Sequence, residues 1–76
     1  MGRNLKEHGI ELRERMYRFI SEYVRDMGYS PTVREIGKAV GLKSSSSVYS
    51  HLTQLEIEGR IETKSNSPRT IRIIKK

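Results

Sequence analysis

Residues 30–41, with the sequence SPTVREIGKAVG, define a short helix at both ends and so restrict how the chain folds. Pro31 disfavours a helical conformation at the residue before it. Thr32 and Glu35 have the spacing of a capping box, in which each side chain accepts a hydrogen bond from the other residue's backbone amide. Gly41 readily adopts the left-handed conformation in which many helices end. The segment therefore predicts a helix of about nine residues, which needs neighbouring elements to pack against.

A longer amphipathic helix is predicted before this segment. Seven apolar residues recur there at spacings of three and four, so they lie on one helix face, which we expect to form part of the core. These residues are Leu12, Met16, Phe19, Ile20, Tyr23, Val24 and Met27. Gly28 is the expected end of this helix. We expect residues 1–9 to form a disordered arm ahead of it.

Four consecutive serines follow the short helix, and serine runs are common in flexible linkers. Here, however, Val48, Leu52 and Leu55 continue with helical spacing, and Gly59 provides a stop. The pattern predicts a helix over roughly residues 45–58, with Ser44 or Ser45 as its N-cap. Its outer face carries small hydroxyls, one aromatic ring and an amide, from Ser46, Tyr49, Ser50, Thr53 and Gln54.

The remainder of the chain predicts a basic β-hairpin. The segments RIETK and RTIRII alternate apolar and polar residues, and the turn formers SNSP separate them. We expect Ile61, Ile71 and Ile73 to close the core. The basic residues expected to face solvent or a partner are Arg60, Lys64, Arg69 and Arg72.

The order of these elements predicts a single domain over residues 1–76 that is mainly α-helical with a small β-hairpin. The second and third helices form a helix-turn-helix, with Gly37 where they cross closely and Leu42 at their junction. The hairpin that follows completes a winged helix-turn-helix of three helices plus a two-stranded wing.

Composition narrows the possible functions. The 76 residues include 15 basic, 9 acidic and no cysteine residues, and the net charge is +6. Residues 59–76 carry six basic residues and one acidic residue, as expected of a protein that binds a polyanion. No stretch approaches the roughly 18 apolar residues of a membrane span, and no leader is apparent, so we expect a cytoplasmic protein without membrane contact.

The sequence offers no catalytic or metal-binding constellation. The two histidines, His8 and His51, are far apart and no cysteine accompanies them, which argues against a metal site. Lys43 beside Ser44 lacks the orienting group and oxyanion motif that nucleophilic catalysis needs. We therefore expect no enzyme activity, no cofactor and no small-molecule substrate.

The serine-rich helix suits recognition of double-stranded DNA. A recognition helix enters the major groove, about 12 Å wide, with its N-terminal end near the base edges. Serines there permit close approach and exchange hydrogen bonds, while Tyr49 offers a ring for a thymine methyl group and a hydroxyl for a base or phosphate. The expected phosphate contacts are Lys64, Arg69 and Arg72 on the wing and, more weakly, Lys43 in the turn and Arg34 near the start of the second helix.

Two other functions are compatible with this layout. A winged helix can serve as a protein-interaction module whose basic hairpin docks on an acidic partner, although the uncharged hydroxyl face does not favour this. Binding of RNA or single-stranded DNA is a further alternative. It needs exposed aromatic rings for base stacking, and Tyr49 is the only good candidate on the outer face.

The segment YSPTVREIGKAVGLKSSSSVYSHLTQLEIEGRI resembles the N-terminal DNA-binding domain of LexA-type repressors of the SOS response. The motifs that carry the resemblance are GYSPTVREI, VGLKSSSSV, HLTQLEIEG and the IRI of the wing. The resemblance extends from Leu12 to Ile74. It implies a transcriptional repressor whose recognition helix binds a palindromic operator as a homodimer. By position, the implied base-contacting residues are Ser44, Ser46, Ser47, Tyr49 and Ser50.

Two departures from the family pattern limit what the resemblance implies. The usual start of the first helix, T-x-R-Q/K, is replaced here by GIELRERMYRFI, so a phosphate contact from that end is not carried over. The resemblance also includes nothing of the family's self-cleaving C-terminal domain. We therefore expect a LexA-type repressor without that domain, either an excised piece or a small stand-alone regulator.

Overall fold

The computed structural model of the chain describes residues 5–64 and 69–74. Three helices precede a two-stranded antiparallel sheet, which confirms the predicted mainly helical fold with a wing. The elements are α1 (Leu5–Met27), α2 (Val33–Val40), α3 (Ser45–Ile57), β1 (Ile61–Glu62) and β2 (Arg72–Ile73). The core lies where the three helices and the sheet meet. It consists of Met16, Ile20, Ile36, Val40, Val48, Leu52, Leu55, Ile61 and Ile71.

Helix α1 is longer than the apolar stripe that predicted it. It begins at Leu5, so residues 5–9, which the sequence assigned to an arm, are helical, and residues 1–4 lie outside the described residues. At its other end Gly28 has a φ of 83°, and its amide donates to the Val24 carbonyl. The prediction that Met27 belongs to the core is wrong, because α1 extends beyond Val24, its last residue packed on the core, and leaves Met27 54% exposed.

Helix α2 begins and ends as its sequence predicts. The Thr32 hydroxyl accepts from the Glu35 amide at 3.2 Å, and the Glu35 carboxylate accepts from the Thr32 amide at 2.8 Å. Gly41 ends the helix in the left-handed conformation, with φ 80°. Because both ends are fixed, α2 is held to eight residues.

Helix α3 starts at Ser45, which confirms that the serine run is helical. Ser44 is the N-cap, with an extended backbone, but its hydroxyl makes no capping hydrogen bond. Helices α2 and α3 cross at Gly37, where an added Cβ would lie 3.0 Å from the Leu42 carbonyl oxygen and 3.2 Å from the Val48 Cγ2 atom. The close crossing fixes the geometry of the helix-turn-helix.

The wing packs its isoleucines on the core. Ile61 pairs with Ile73 and Glu62 with Arg72. Ile61 and Ile71 are buried and Ile73 packs against them, as predicted. The strands are shorter than the alternating segments suggested, and the predicted SNSP turn, residues 65–68, lies outside the described residues.

The sequence analysis expected Arg60 to face solvent or a partner; in the structure its side chain is 30% exposed and is paired with acidic residues of this chain. Its guanidinium forms a bidentate ion pair with the Glu14 carboxylate and lies 4.1 Å from the centre of the Tyr17 ring. A second carboxylate, that of Glu58, lies 3.7 Å away. This contact joins the segment between α3 and β1 to α1. It also lowers the pKa of Glu14, chiefly through the hydrogen bond from Arg60.

Candidate nucleic-acid interface

The N-terminal turn of α3 presents small hydroxyls and free backbone amides. Ser44, Ser45 and Ser46 are exposed, and Ser47 is half-buried. The first amides of an α-helix have no acceptor within the helix, and here the N-cap hydroxyl does not satisfy them. No acidic residue occupies the first turn. This end of α3 is therefore free to donate hydrogen bonds to an acceptor-rich partner.

The next turn of α3 continues the same outer face. Tyr49 is 57% exposed, and Ser50 and Thr53 are exposed as well. Val48 and Leu52 point the opposite way, into the core. The packing thus fixes which side of α3 faces outward, and it is the side that the apolar spacing predicted.

One groove runs beside the helix-turn-helix turn, between α2 and α3; we name it the turn groove. The predicted site residues Lys43, Ser44 and Tyr49 line it together, as does Arg34 of α2. Lys38 also lines this groove, and the sequence analysis did not single it out. The sequence did contain an indication of its role: Lys38 follows Arg34 by one helical turn, so both cations lie on the same side of α2.

A second groove lies between the start of α2, the outer face of α3 and the wing; we name it the wing groove. It brings Lys64 of the wing to the same surface as Tyr49 and Thr53 of α3. Arg34 lines both grooves. Glu56 forms part of the wing groove's wall, and its negative charge disfavours a phosphate at that end.

Four of the cations that line these grooves, Arg34, Lys38, Lys43 and Lys64, are exposed, whereas a fifth, Arg69 in the wing groove, is ion-paired with Glu35. Within residues 5–64 and 69–74, no ion pair joins Arg34, Lys38, Lys43 or Lys64 to a carboxylate of this chain. An anion can approach these side chains without first displacing an internal partner. The four cations surround the uncharged face of α3 from two sides.

Arg72, a predicted phosphate contact, lies apart from this surface. Its side chain is 81% exposed and its Nη1 atom is 3.6 Å from the Glu62 carboxylate across the hairpin. Arg72 lines a different cleft, with Val24 and Tyr29 near the end of α1; this cleft adjoins the wing groove, because Lys64 and Arg69 line both. The structure therefore does not bring Arg72 together with the recognition helix.

Arg69, another predicted phosphate contact, is held by the protein itself. Its guanidinium donates to the Tyr23 hydroxyl, to the Ser30 carbonyl and to the Glu35 carboxylate, at 3.1–3.3 Å. It also lies 4.9 Å from the centre of the Tyr29 ring. These contacts give Arg69 a role within the fold, while contact with phosphate stays a prediction.

His51 lies on the side of α3 that faces α1. Its Nδ1 atom is buried and has no hydrogen-bond partner among the described residues, and the same holds for the Nε atom of Arg13. Burial first, and then the positive charge of Arg13, lower the pKa of His51. Among the residues described, no cluster of His, Cys, Asp or Glu is suited to hold a metal ion, and no helix is long and apolar enough to span a bilayer.

Comparison with known proteins agrees with this geometry. A family model described as the LexA DNA binding domain matches residues 11–70. The LexA repressor of Clostridium novyi (strain NT) is 48% identical over 75 residues, which cover 99% of this chain and 35% of that protein. The LexA repressor of Bacillus velezensis is 53% identical over 57 residues, which cover 75% of this chain and 28% of that protein.

A third relative supports the same assignment. The LexA repressor of Clostridium botulinum (strain Hall) is 48% identical over 65 residues, which cover 86% of this chain and 32% of that protein. The chain thus spans about a third of the length of the curated relatives it matches. The family model covers α2, α3 and β1 in full, together with most of α1. The resemblance seen in the sequence is confirmed, and the chain belongs to the LexA DNA-binding domain family.

Proposed function

We propose that this domain binds double-stranded DNA sequence-specifically and acts as a transcriptional repressor of the LexA type. The observation that carries the proposal is the outer face of α3, which is uncharged, exposed at its N-terminal end and bordered by two grooves with unpaired cations. Such a face is complementary to base edges, and the surrounding cations are complementary to the two flanking phosphate backbones.

The N-terminal half of α3 supplies the proposed base contacts. Serine hydroxyls both donate and accept, so they match either kind of group on a base edge. The exposed Tyr49 ring is placed one turn further along for contact with a thymine methyl group. The proposed base-contacting residues are Ser44, Ser46, Ser47, Tyr49 and Ser50.

The cations of the two grooves supply the proposed phosphate contacts. Lys43, Lys38 and Arg34 flank one side of α3, and Lys64 flanks the other. Neutralising phosphates releases counterions and yields affinity that falls steeply with salt. Arg72 remains a candidate for a more distant phosphate, since it is exposed but lies away from both grooves.

Pairing of two domains on a palindromic operator is part of the proposal. One helix and a few phosphate contacts form a small interface, and small DNA-binding modules commonly gain affinity by binding two half-sites as a dimer. Two copies of this domain on a two-fold symmetric operator would double both the base contacts and the phosphate contacts.

Fluorescence anisotropy tests this function directly. A duplex is first selected from a random library by this chain, and its binding is compared with that of a scrambled duplex and a single strand, each across a salt series. We expect preference for the selected duplex, two chains per duplex, and weak binding to an isolated half-site. Equal binding to all three DNAs, or binding to none, would refute sequence-specific recognition and direct attention to an acidic protein partner.

A pair of substitutions assigns the preference to α3. Ser46→Ala and Tyr49→Ala remove a hydroxyl and a ring from the outer face and leave the buried face intact. We expect both substitutions to reduce the ratio of the affinity for the selected duplex to the affinity for the scrambled duplex. The salt slope, which is the slope of log affinity against log salt concentration, should change little, because no phosphate-binding cation is lost. An unchanged ratio in both variants would argue that another surface contacts the bases.

A further inference from the structure

Arg69 connects the wing to three other parts of the fold. Its guanidinium reaches Tyr23 on α1, the Ser30 carbonyl between α1 and α2, and Glu35 in the first turn of α2. The Glu35 carboxylate uses its other oxygen for the Thr32 amide, so the same side chain caps α2 and holds Arg69. Arg69 has a left-handed backbone, φ 56°, which is uncommon for a residue with a side chain.

The residue after Arg69 fixes the backbone of Lys64. The Thr70 hydroxyl accepts from the Lys64 amide and donates to the Lys64 carbonyl, both at 3.2 Å. The next amide, of Ile71, donates to the buried hydroxyl of Ser30 at 3.1 Å. Three consecutive residues, 69–71, therefore link Lys64 to the segment between α1 and α2.

Lys64 stands at the end of this chain of contacts, exposed in the wing groove beside Tyr49. Its ammonium group has no ion-pair partner in the part of the chain that the structure describes. The charge of Arg69, by contrast, is matched by Glu35. Both cations line the wing groove, and the Arg69 side chain is 39% exposed, but the Arg69 guanidinium is engaged by groups of the fold whereas the Lys64 ammonium group is presented outward.

We propose that Arg69 is a positioning residue for DNA binding: it sets where the wing presents Lys64 relative to the recognition helix, and it does not itself contact the phosphate. The inference rests on the proposed function, because it assigns Lys64 to phosphate. A guanidinium is required for this role. Its planar fork donates in several directions at once while stacking on a ring, which a lysine ammonium does not reproduce.

The test uses the duplex selected by the chain and four variants: Arg69→Gln, Arg69→Lys, Lys64→Ala, and Lys64→Ala combined with Arg69→Gln. Affinity is measured between 50 and 200 mM salt at a temperature where circular dichroism shows each variant folded. Loss of one phosphate contact per chain lowers the salt slope, expressed per bound chain, by about 0.9, which makes the affinity ratio per bound chain across this range about 3.5-fold smaller. Arg25→Gln is the matched control, because Arg25 is exposed on α1 and lines neither groove.

We expect the salt slope per bound chain to fall by about 0.9 in each of the single variants Arg69→Gln, Arg69→Lys and Lys64→Ala. In the double variant it should fall no further than in Lys64→Ala alone. Amide hydrogen exchange supplies a readout that does not depend on DNA: the Lys64 amide should exchange faster in both Arg69 variants than in the Arg25 control. Tyr23→Phe removes one acceptor of Arg69 and should shift both readouts in the same direction by a smaller amount, even if the Arg69 variants fail to fold.

Three results would overturn the inference. A double variant that loses about 1.8 in salt slope per bound chain would show that Arg69 makes a phosphate contact of its own. An Arg69→Lys variant that binds like the unchanged chain would show that only its charge matters. An Arg69→Gln variant with lowered stability and unchanged DNA binding would show a purely structural role. Failure of the proposed function looks different, since the unchanged chain would then show no preference for its selected duplex.

Discussion

At Gly37 the two helices of the helix-turn-helix cross without room for a side chain. An added Cβ would meet a backbone carbonyl at 3.0 Å, and a backbone carbonyl moves less readily than the end of a flexible side chain. We expect Gly37→Ala to destabilise the domain by about 1–3 kcal/mol, as overpacking does in other cores. Urea unfolding followed by circular dichroism measures the change.

Gly9 provides the matched control for this prediction. It also lies within a helix, α1, but apart from the helix's own backbone no atom of the described residues lies within 4 Å of a Cβ added there. Gly9→Ala should therefore gain stability by up to about 1 kcal/mol from helix propensity alone. If both substitutions changed stability in the same direction, the close helix crossing would not explain the effect of adding a side chain at Gly37.

His51 makes folding stability depend on pH. Burial and the neighbouring Arg13 lower the pKa of His51 in the folded chain, whereas in the unfolded chain it titrates near 6.5. The unfolded state therefore takes up a proton at pH values where the folded state does not. Stability should be complete above pH 6.5 and should decline as the pH falls below that value.

Urea unfolding at pH 7.5 and pH 5.5 checks this prediction. We expect the unchanged chain to lose stability at pH 5.5, and His51→Gln to lose less, because glutamine carries no titrating group. His8→Gln serves as the control for the other histidine of the sequence. An equal loss in the unchanged chain and in His51→Gln would exclude His51 as its cause.

The capping box of α2 acts at the scale of the element. Thr32 satisfies one amide at the start of a helix of only eight residues, so little else within α2 compensates for its loss. Thr32→Ala should cost about 1 kcal/mol of folding stability, measured by urea unfolding. Thr32→Ser retains the hydroxyl and should lose much less; comparable losses would contradict a capping role.

The end of α1 and both ends of α2 follow from local chemistry, which explains why these parts of the fold were predictable. The Thr32–Glu35 box and the glycines after α1 and α2 act over a few residues, and their effect does not depend on the rest of the chain. The apolar spacing of α3 likewise determined which face lies outward. These signals were sufficient to predict the helix-turn-helix, the wing and the outer face of the recognition helix.

Whether a given basic side chain is ion-paired within the protein was less predictable, because its partners are remote in the sequence. Arg60 binds Glu14, which lies 46 positions away, and Arg69 binds partners 34 to 46 positions away. Whether a wing cation meets solvent or an acid depends on how α1 and α2 pack against the hairpin. Local alternation predicts the strand but does not reveal this tertiary arrangement. Lys38 was missed for a similar reason, since its importance comes from the groove it borders.

At the scale of the whole molecule, six of the 15 basic residues fall into two groups with different surroundings. Arg60 and Arg69 are ion-paired and hold the wing to α1 and α2. Arg34, Lys38, Lys43 and Lys64 border the grooves beside α3 and have no ion-pair partner among the described residues. The net charge of +6 is therefore less informative than its placement, because the second group, unlike Arg60 and Arg69, can neutralise phosphate without first giving up an ion pair.

The central claim is that the outer face of α3 contacts the bases while the groove cations contact phosphates. The most direct test measures the affinity of the unchanged chain, Tyr49→Ala and Lys64→Ala for every single-base substitution of the selected half-site. We predict that Tyr49→Ala abolishes discrimination at one or two adjacent positions, each worth about 1–3 kcal/mol in the unchanged chain. Lys64→Ala should lower affinity uniformly and keep the pattern of discrimination. An unaltered pattern in Tyr49→Ala, or a position-specific loss in Lys64→Ala, would contradict this division of roles.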